Sequence, residues 1–119
     1  HDISVPVDDM PRFMLAAAAE VERAFPGVEA SAFGHLGDGN VHFHVRLGGH
    51  SADDGPTITR MVDDLVTAAG GSISAEHGIG QMKLDELERL APPGRIAALQ
   101  AIKRALDPQG LMNPGKLVR

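Results

Sequence analysis

The chain has no cysteine among its 119 residues. Disulfides, zinc–thiolate centres and thiol nucleophiles are therefore excluded. No apolar run reaches the roughly 20 residues that a membrane-spanning helix needs. The N-terminus shows no signal-peptide pattern. No run of lysine or arginine occurs, and the formal net charge is −5. That charge argues against nucleic acid and anionic membrane surfaces, whose binding proteins carry clustered basic groups. A dinucleotide fingerprint is missing too, because Gly78-Ile79-Gly80 lacks the third glycine and the helix pattern that should follow. Internal repeats, low-complexity segments and linkers are also absent.

What remains is a chain that is 43% hydrophobic, long enough for one core, so one domain is expected. It opens on His1 without a methionine and runs straight into a strand-like segment. The expectation is a piece of a longer protein.

Ile3, Val5 and Val7 alternate along a first strand that Pro6 places at an edge. Asp8 or Asp9 caps a following helix, with Pro11 in its first turn. Met10, Phe13, Met14, Ala17, Ala18, Val21 and Ala24 keep helical spacing, and Pro26-Gly27 ends the helix. A hairpin over 28–47 leads to a polar loop, in which His50 has no partner that the sequence identifies and is expected to be exposed. A second helix over 57–69 presents Ile58, Met61, Val62, Leu65 and Ala69, and Gly70-Gly71 stops it. Residues 71–80 read as a strand entering a glycine-rich turn. Helices over 82–90 and 93–106 follow, separated by Pro92-Pro93-Gly94, and an irregular tail completes the chain. Strand, helix, hairpin, helix, strand and further helices describe an α+β, ferredoxin-like unit, an antiparallel sheet with helices packed on one face.

The chemistry is concentrated in Phe33-Gly34-His35-Leu36-Gly37-Asp38-Gly39-Asn40-Val41-His42-Phe43-His44-Val45. Asp38-Gly39 is a signal for a two-residue type I′ turn, which predicts His35 opposite His42 and Phe33 opposite His44. Period-2 alternation puts Ala32, Gly34, Leu36, Val41, Phe43, Val45 and Leu47 on a core face. It leaves His35, Asn40, His42, His44 and Arg46 on the other. Opposed residues have Cβ atoms about 5 Å apart, close enough for two imidazoles to share one ion or one substrate.

Glu76-His77 is the second element. Neighbours on a regular strand point to opposite faces, so both serve one site only where the chain bends, which Gly78 and Gly80 permit. A glutamate beside two histidines forms a two-histidine, one-carboxylate metal set, with His77 as a candidate general base.

Three ordered motifs then resemble the C-terminal domain of FAD-linked oxidases. They are Gly34-His35-Leu36-Gly37-Asp38-Gly39-Asn40-Val41-His42, Gly71-Ser72-Ile73-Ser74-Ala75-Glu76-His77-Gly78-Ile79-Gly80, and Leu106-Asp107-Pro108-Gln109-Gly110-Leu111-Met112-Asn113-Pro114-Gly115-Lys116. The members they are most similar to are D-lactate dehydrogenases, the glycolate oxidase flavoprotein subunit and D-2-hydroxyglutarate dehydrogenase, in the vanillyl-alcohol oxidase fold family.

The resemblance implies that residues 1–119 form the C-terminal part of a substrate domain, with FAD bound mainly by a domain that this chain lacks. It further implies a divalent metal (zinc, manganese or iron) on His35, His42 and Glu76, a base at His77, and Asn113 near the flavin. Asn40 and His44 contact substrate, although the hydroxyglutarate enzymes usually carry asparagine where His44 stands. The implied reaction is oxidation of a small D-2-hydroxy acid by hydride transfer to FAD, in the cytoplasm, with any membrane contact made through the electron acceptor. The isolated chain is expected to be inactive and, with its domain-facing surface open, capable of forming a homo-oligomer. A non-catalytic metal-binding or interaction module and a metal-dependent hydrolase are the competing readings, since two histidines and a carboxylate also build hydrolytic zinc sites.

Overall fold

Ile3 and Val41 are directly paired across a three-stranded antiparallel sheet, and neither exposes any surface. The sheet consists of β1 (Asp2–Ser4), β2 (Glu29–His35) and β3 (Asn40–Arg46), in the order β1-β3-β2. The computed structural model describes residues 1–119 as two units, His1–Glu76 and His77–Arg119. The sheet belongs to the first.

Two helices cover one sheet face. Helix α1 (Met10–Ala24) starts with Pro11 in its first turn and buries Met10, Ala17 and Val21, residues that fall on one helical stripe. Asp9 stands at its N-cap but makes no capping hydrogen bond through its side chain, and forms an ion pair with Arg12 instead. Helix α2 (Gly55–Ala68) begins two residues earlier than expected because Pro56 is tolerated in a first turn, and it buries Ile58, Val62 and Val66. These side chains share one apolar cluster with Ile3, Val28, Val41 and Phe43.

The α+β architecture expected from the sequence is the one found, with a difference at each outer strand. The first strand ends at Ser4 and does not reach Val7, because Pro6 cannot donate to a ladder; Val7 begins a 3-10 turn, Val7–Asp9. The strand expected at residues 71–80 is reduced to one antiparallel bridge, Ser4 to Ser72, at the free edge of β1. Its two hydrogen bonds measure 2.9 and 2.8 Å. The ladder stops there because Ser72 Oγ donates to the Ser74 carbonyl and accepts from the Ser74 amide, a local turn that competes with strand pairing. The bridge occupies the position of the fourth strand in a ferredoxin-like sheet.

His50 also departs from expectation. Its side chain is one-quarter exposed, with Nε2 2.7 Å from the Pro26 carbonyl and Nδ1 3.2 Å from Asp54 Oδ2. Its ring stands edge-on to Phe25. This imidazole ties the loop after β3 to the α1–β2 connection. The Pro26 carbonyl, and then Asp54, raise its pKa above 6.5. A raised folded-state pKa contributes stability that is complete below 6.5 and disappears as pH rises through the folded value. The stability that His50 contributes should therefore be lost as pH rises above 6.5, and His50→Gln should flatten that part of the melting-temperature profile. Equal slopes in thermal melts of both proteins would refute this.

In the second unit, α3 (Leu84–Leu90) starts two residues later than expected and α4 (Pro93–Leu106) spans the expected residues. Leu84, Leu87 and Val118 are its buried hydrophobic residues. The C-terminal tail returns to the start of this unit: the Leu117 amide donates to the Gly80 carbonyl at 2.8 Å, and Arg119 pairs with Asp85 and Glu88. No helix is long and apolar enough to cross a membrane.

Candidate functional site

The β2–β3 hairpin turns through four residues, 36–39, not two. The His35 carbonyl accepts from the amides of Asp38 at 3.3 Å and Gly39 at 3.1 Å, and Asp38 Oδ1 accepts from the Asn40 amide at 3.0 Å. This Asx-type bond draws Asp38 into a wider turn, in which only Gly39 has positive φ, +73°. The register therefore moves by two residues, so that His35 faces Asn40, Phe33 faces His42 and Ser31 faces His44. A shift of two preserves both faces. Val41 and Phe43 are fully buried, while His35 and His44 are exposed and His42 is half-buried. Leu36, assigned to the core face by alternation, lies in the turn and is 64% exposed.

His35 and His42 are thus diagonal neighbours, with ring centroids 6.1 Å apart and planes nearly perpendicular. Phe33, itself mostly exposed, has its ring centroid 5.1 Å from His42 and stacks on His44 at 5.3 Å. Beyond that stack, Glu29, Ser31 and Arg46 line an open depression, with Arg46 Nη1 3.1 Å from Glu29 Oε2.

Asn40 lies in the same sheet and is only 4% exposed. Its Nδ2 donates to Glu76 Oε1, while its buried Oδ1 has no hydrogen-bond partner. Asp2, which pairs with His42 across β1 and β3, is 6% exposed and accepts from the Glu76 amide at 3.0 Å. Sequence reasoning did not single out Asp2 as a site residue. The signal was its place one residue before Ile3, which period-2 alternation puts on the histidine face.

His35, His42 and Glu76 do not converge: no three His, Cys, Asp or Glu side chains lie close enough together to hold one ion. The Glu76 carboxylate accepts instead from the Asn40 amide nitrogen. The donor chemistry nonetheless suits a divalent metal. Two imidazoles sit side by side, and a carboxylate is held at Asn40, two residues from His42 on β3.

His77 and Asn113 belong to the second unit, and both are exposed. Asn113 has φ of +46° in a segment organised by Asp107. The Asp107 carboxylate is paired with Lys103 and accepts from the amides of Leu111 and Met112, each at 2.9 Å. Lys103, and then these amides, hold its pKa below 3.8. A depressed carboxylate stabilises the fold above pH 3.8, and that contribution is lost as pH falls through the folded value. At neutral pH, Asp107→Ala should speed hydrogen exchange at Leu111 and Met112 by about tenfold or more. Unchanged exchange would mean that the turn before Asn113 is held by other contacts.

The family described as FAD linked oxidases, C-terminal domain, matches residues 1–117. A D-2-hydroxyglutarate dehydrogenase of Stutzerimonas stutzeri is 39% identical over 98% of this chain and 26% of its own length. A D-lactate dehydrogenase of Archaeoglobus fulgidus is 41% identical over 78% of this chain and 21% of its own length. The mitochondrial D-2-hydroxyglutarate dehydrogenase of Arabidopsis thaliana is 31% identical over 99% of this chain and 21% of its own length. The chain spans between about a fifth and a quarter of the length of the curated relatives it matches. With a match covering nearly every residue, the chain belongs to the FAD-linked oxidase C-terminal domain family.

Proposed function

We propose that this chain supplies the substrate-side surface of a flavoenzyme that oxidises a D-2-hydroxy acid of the lactate, glycolate or 2-hydroxyglutarate type. The observation that carries the reading is the sheet face that His35, His42 and His44 share with Asn40, whose side chain holds the Glu76 carboxylate. It is supported by relatives named D-2-hydroxyglutarate dehydrogenase and D-lactate dehydrogenase.

His35, His42 and Glu76 would hold a divalent metal, zinc, manganese or iron, which supplies Lewis-acid polarisation of the 2-hydroxyl group. FAD, held mainly by a domain outside this chain, would supply the hydride-accepting chemistry. His44 binds the substrate across the Phe33 stack, which fixes its ring plane. Asn40 acts at the substrate side by keeping its amide nitrogen on Glu76. His77 takes the proton of the 2-hydroxyl group on an imidazole nitrogen, a role histidine fills more often than any other side chain. Asn113 lies at the flavin side, in the segment that Asp107 orders. The enzyme is cytoplasmic, with any membrane contact made through its electron acceptor.

The test is anaerobic reduction of the flavin in the full-length protein by glycolate and by the D and L forms of lactate and 2-hydroxyglutarate. At least one of these acids should bleach the flavin, with D preferred over L where the acid is chiral. If none does, the reading fails. Absorbance of this chain mixed with FAD tests the division of labour, since stoichiometric tight binding would contradict a flavin held elsewhere.

A further inference from the structure

Glu76 is an exposed residue at the end of the first unit, yet it is fastened at two points by residues distant in sequence. Its carboxylate accepts from Asn40 Nδ2 and its amide donates to Asp2 Oδ2, 74 residues away. Asn40 lies on β3 and Asp2 on β1, which are paired strands. Asp2 is 6% exposed, unusual for a carboxylate, and its register partner is His42. Burying a carboxylate is costly unless it accepts hydrogen bonds, so its place in the sheet has to be compensated by what it holds.

We propose that Asp2 is a positioning residue for Glu76. By accepting the Glu76 amide, Asp2 fixes the backbone from which the Glu76 carboxylate reaches Asn40. That contact keeps the carboxylate beside the strand that carries His42. Without Asp2, the Glu76 amide would lose this partner, and Asn40 would hold the carboxylate from a less constrained backbone. The consequence for metal binding rests on the ligand role proposed above for Glu76; the clamp itself does not. Partners that orient a ligating carboxylate typically change metal affinity about 10–100-fold when removed.

The test follows hydrogen exchange at the Glu76 amide and, separately, zinc titration, in the wild type and in Asp2→Ala, Asp2→Asn and Ile3→Val. Asp2→Ala should accelerate Glu76 exchange about 10–100-fold and weaken zinc binding by a similar factor. Asp2→Asn, which keeps an acceptor oxygen, should recover most of the protection, and it carries the comparison if the alanine variant does not fold. Ile3→Val trims the core side of the same strand without touching Glu76, and should leave Glu76 exchange near wild type. Unchanged Glu76 exchange in Asp2→Ala, or equal acceleration by Ile3→Val, would overturn the clamp. Zinc failing to bind the wild type, with the exchange pattern as expected, would refute the metal ligation and leave the clamp standing.

Discussion

Gly39→Ala is expected to destabilise the first unit by about 1.5–3.5 kcal/mol, enough to consume a large share of the stability of a small domain. Two costs combine. A non-glycine residue at the observed φ of +73° costs roughly 1–2 kcal/mol. In addition, an alanine Cβ at this position would lie 2.0 Å from the Val5 carbonyl oxygen and 3.2 Å from its carbon. Both are backbone atoms and cannot rotate aside. Relief therefore has to come from separating the turn from the end of β1, which breaks the 3.0 Å hydrogen bond from the Val5 amide to the Gly39 carbonyl. That bond adds about 0.5–1.5 kcal/mol. Gly37→Ala is the control, because its added Cβ meets nothing within 4 Å and its φ is not positive. Urea unfolding should separate the two variants clearly, with Gly37→Ala within about 0.5 kcal/mol of wild type. A loss below about 1 kcal/mol for Gly39→Ala would show that the turn relaxes more easily than its close approach implies.

The same glycine shows which parts of the fold were legible in the chain. Period-2 alternation correctly assigned Val41 and Phe43 to the core and His35, His42 and His44 to the open face, because burial depends on parity along a strand. It could not fix the register. Asp38-Gly39 carries the signature of a two-residue turn, but Asp38 uses its carboxylate on the Asn40 amide and Gly39 packs on Val5, contacts that no local pattern encodes. A shift of two residues left the faces intact and converted the expected opposed histidine pair into a diagonal one.

Other departures have the same origin in contacts between distant residues. His50 looked like a solvated loop residue because its partner, the Pro26 carbonyl, lies 24 positions away. Asp2 looked like ordinary strand polarity because the Glu76 amide lies 74 positions away. The strand expected at 71–80 failed for a local reason, since Ser72 and Ser74 bond to each other and stop the ladder after one bridge. Helices fared better. Met10–Ala24 and Pro93–Leu106 are bounded by proline near their starts and by Pro26-Gly27 or Asp107-Pro108 after their ends, signals that act within a few residues. Residue types and spacing placed the histidines on one sheet face, whereas the Glu76–Asn40 contact came only from the folded chain.

His77→Ala in the full-length flavoprotein is expected to lower kcat by about 10²–10⁴-fold, the usual contribution of a positioned acid–base group. At 1.36 kcal/mol per factor of ten, this corresponds to about 2.7–5.4 kcal/mol of barrier. The effect should fall on kcat more than on KM, since a proton acceptor acts in the transition state while the proposed substrate contact at His44 and the proposed metal ligands act on the ground state. Retention of flavin, read from its absorbance, and retention of metal, read by elemental analysis, separate loss of a base from loss of a site. His42→Ala provides the contrast and should lose the metal together with the activity. Added imidazole should restore part of the rate to His77→Ala, because a small base can enter the space that the side chain vacates. It should not restore His42→Ala, where the function proposed for the side chain is ligation. A drop in kcat smaller than tenfold, or rescue of both variants alike, would remove His77 from the role of base and require another group to take the hydroxyl proton.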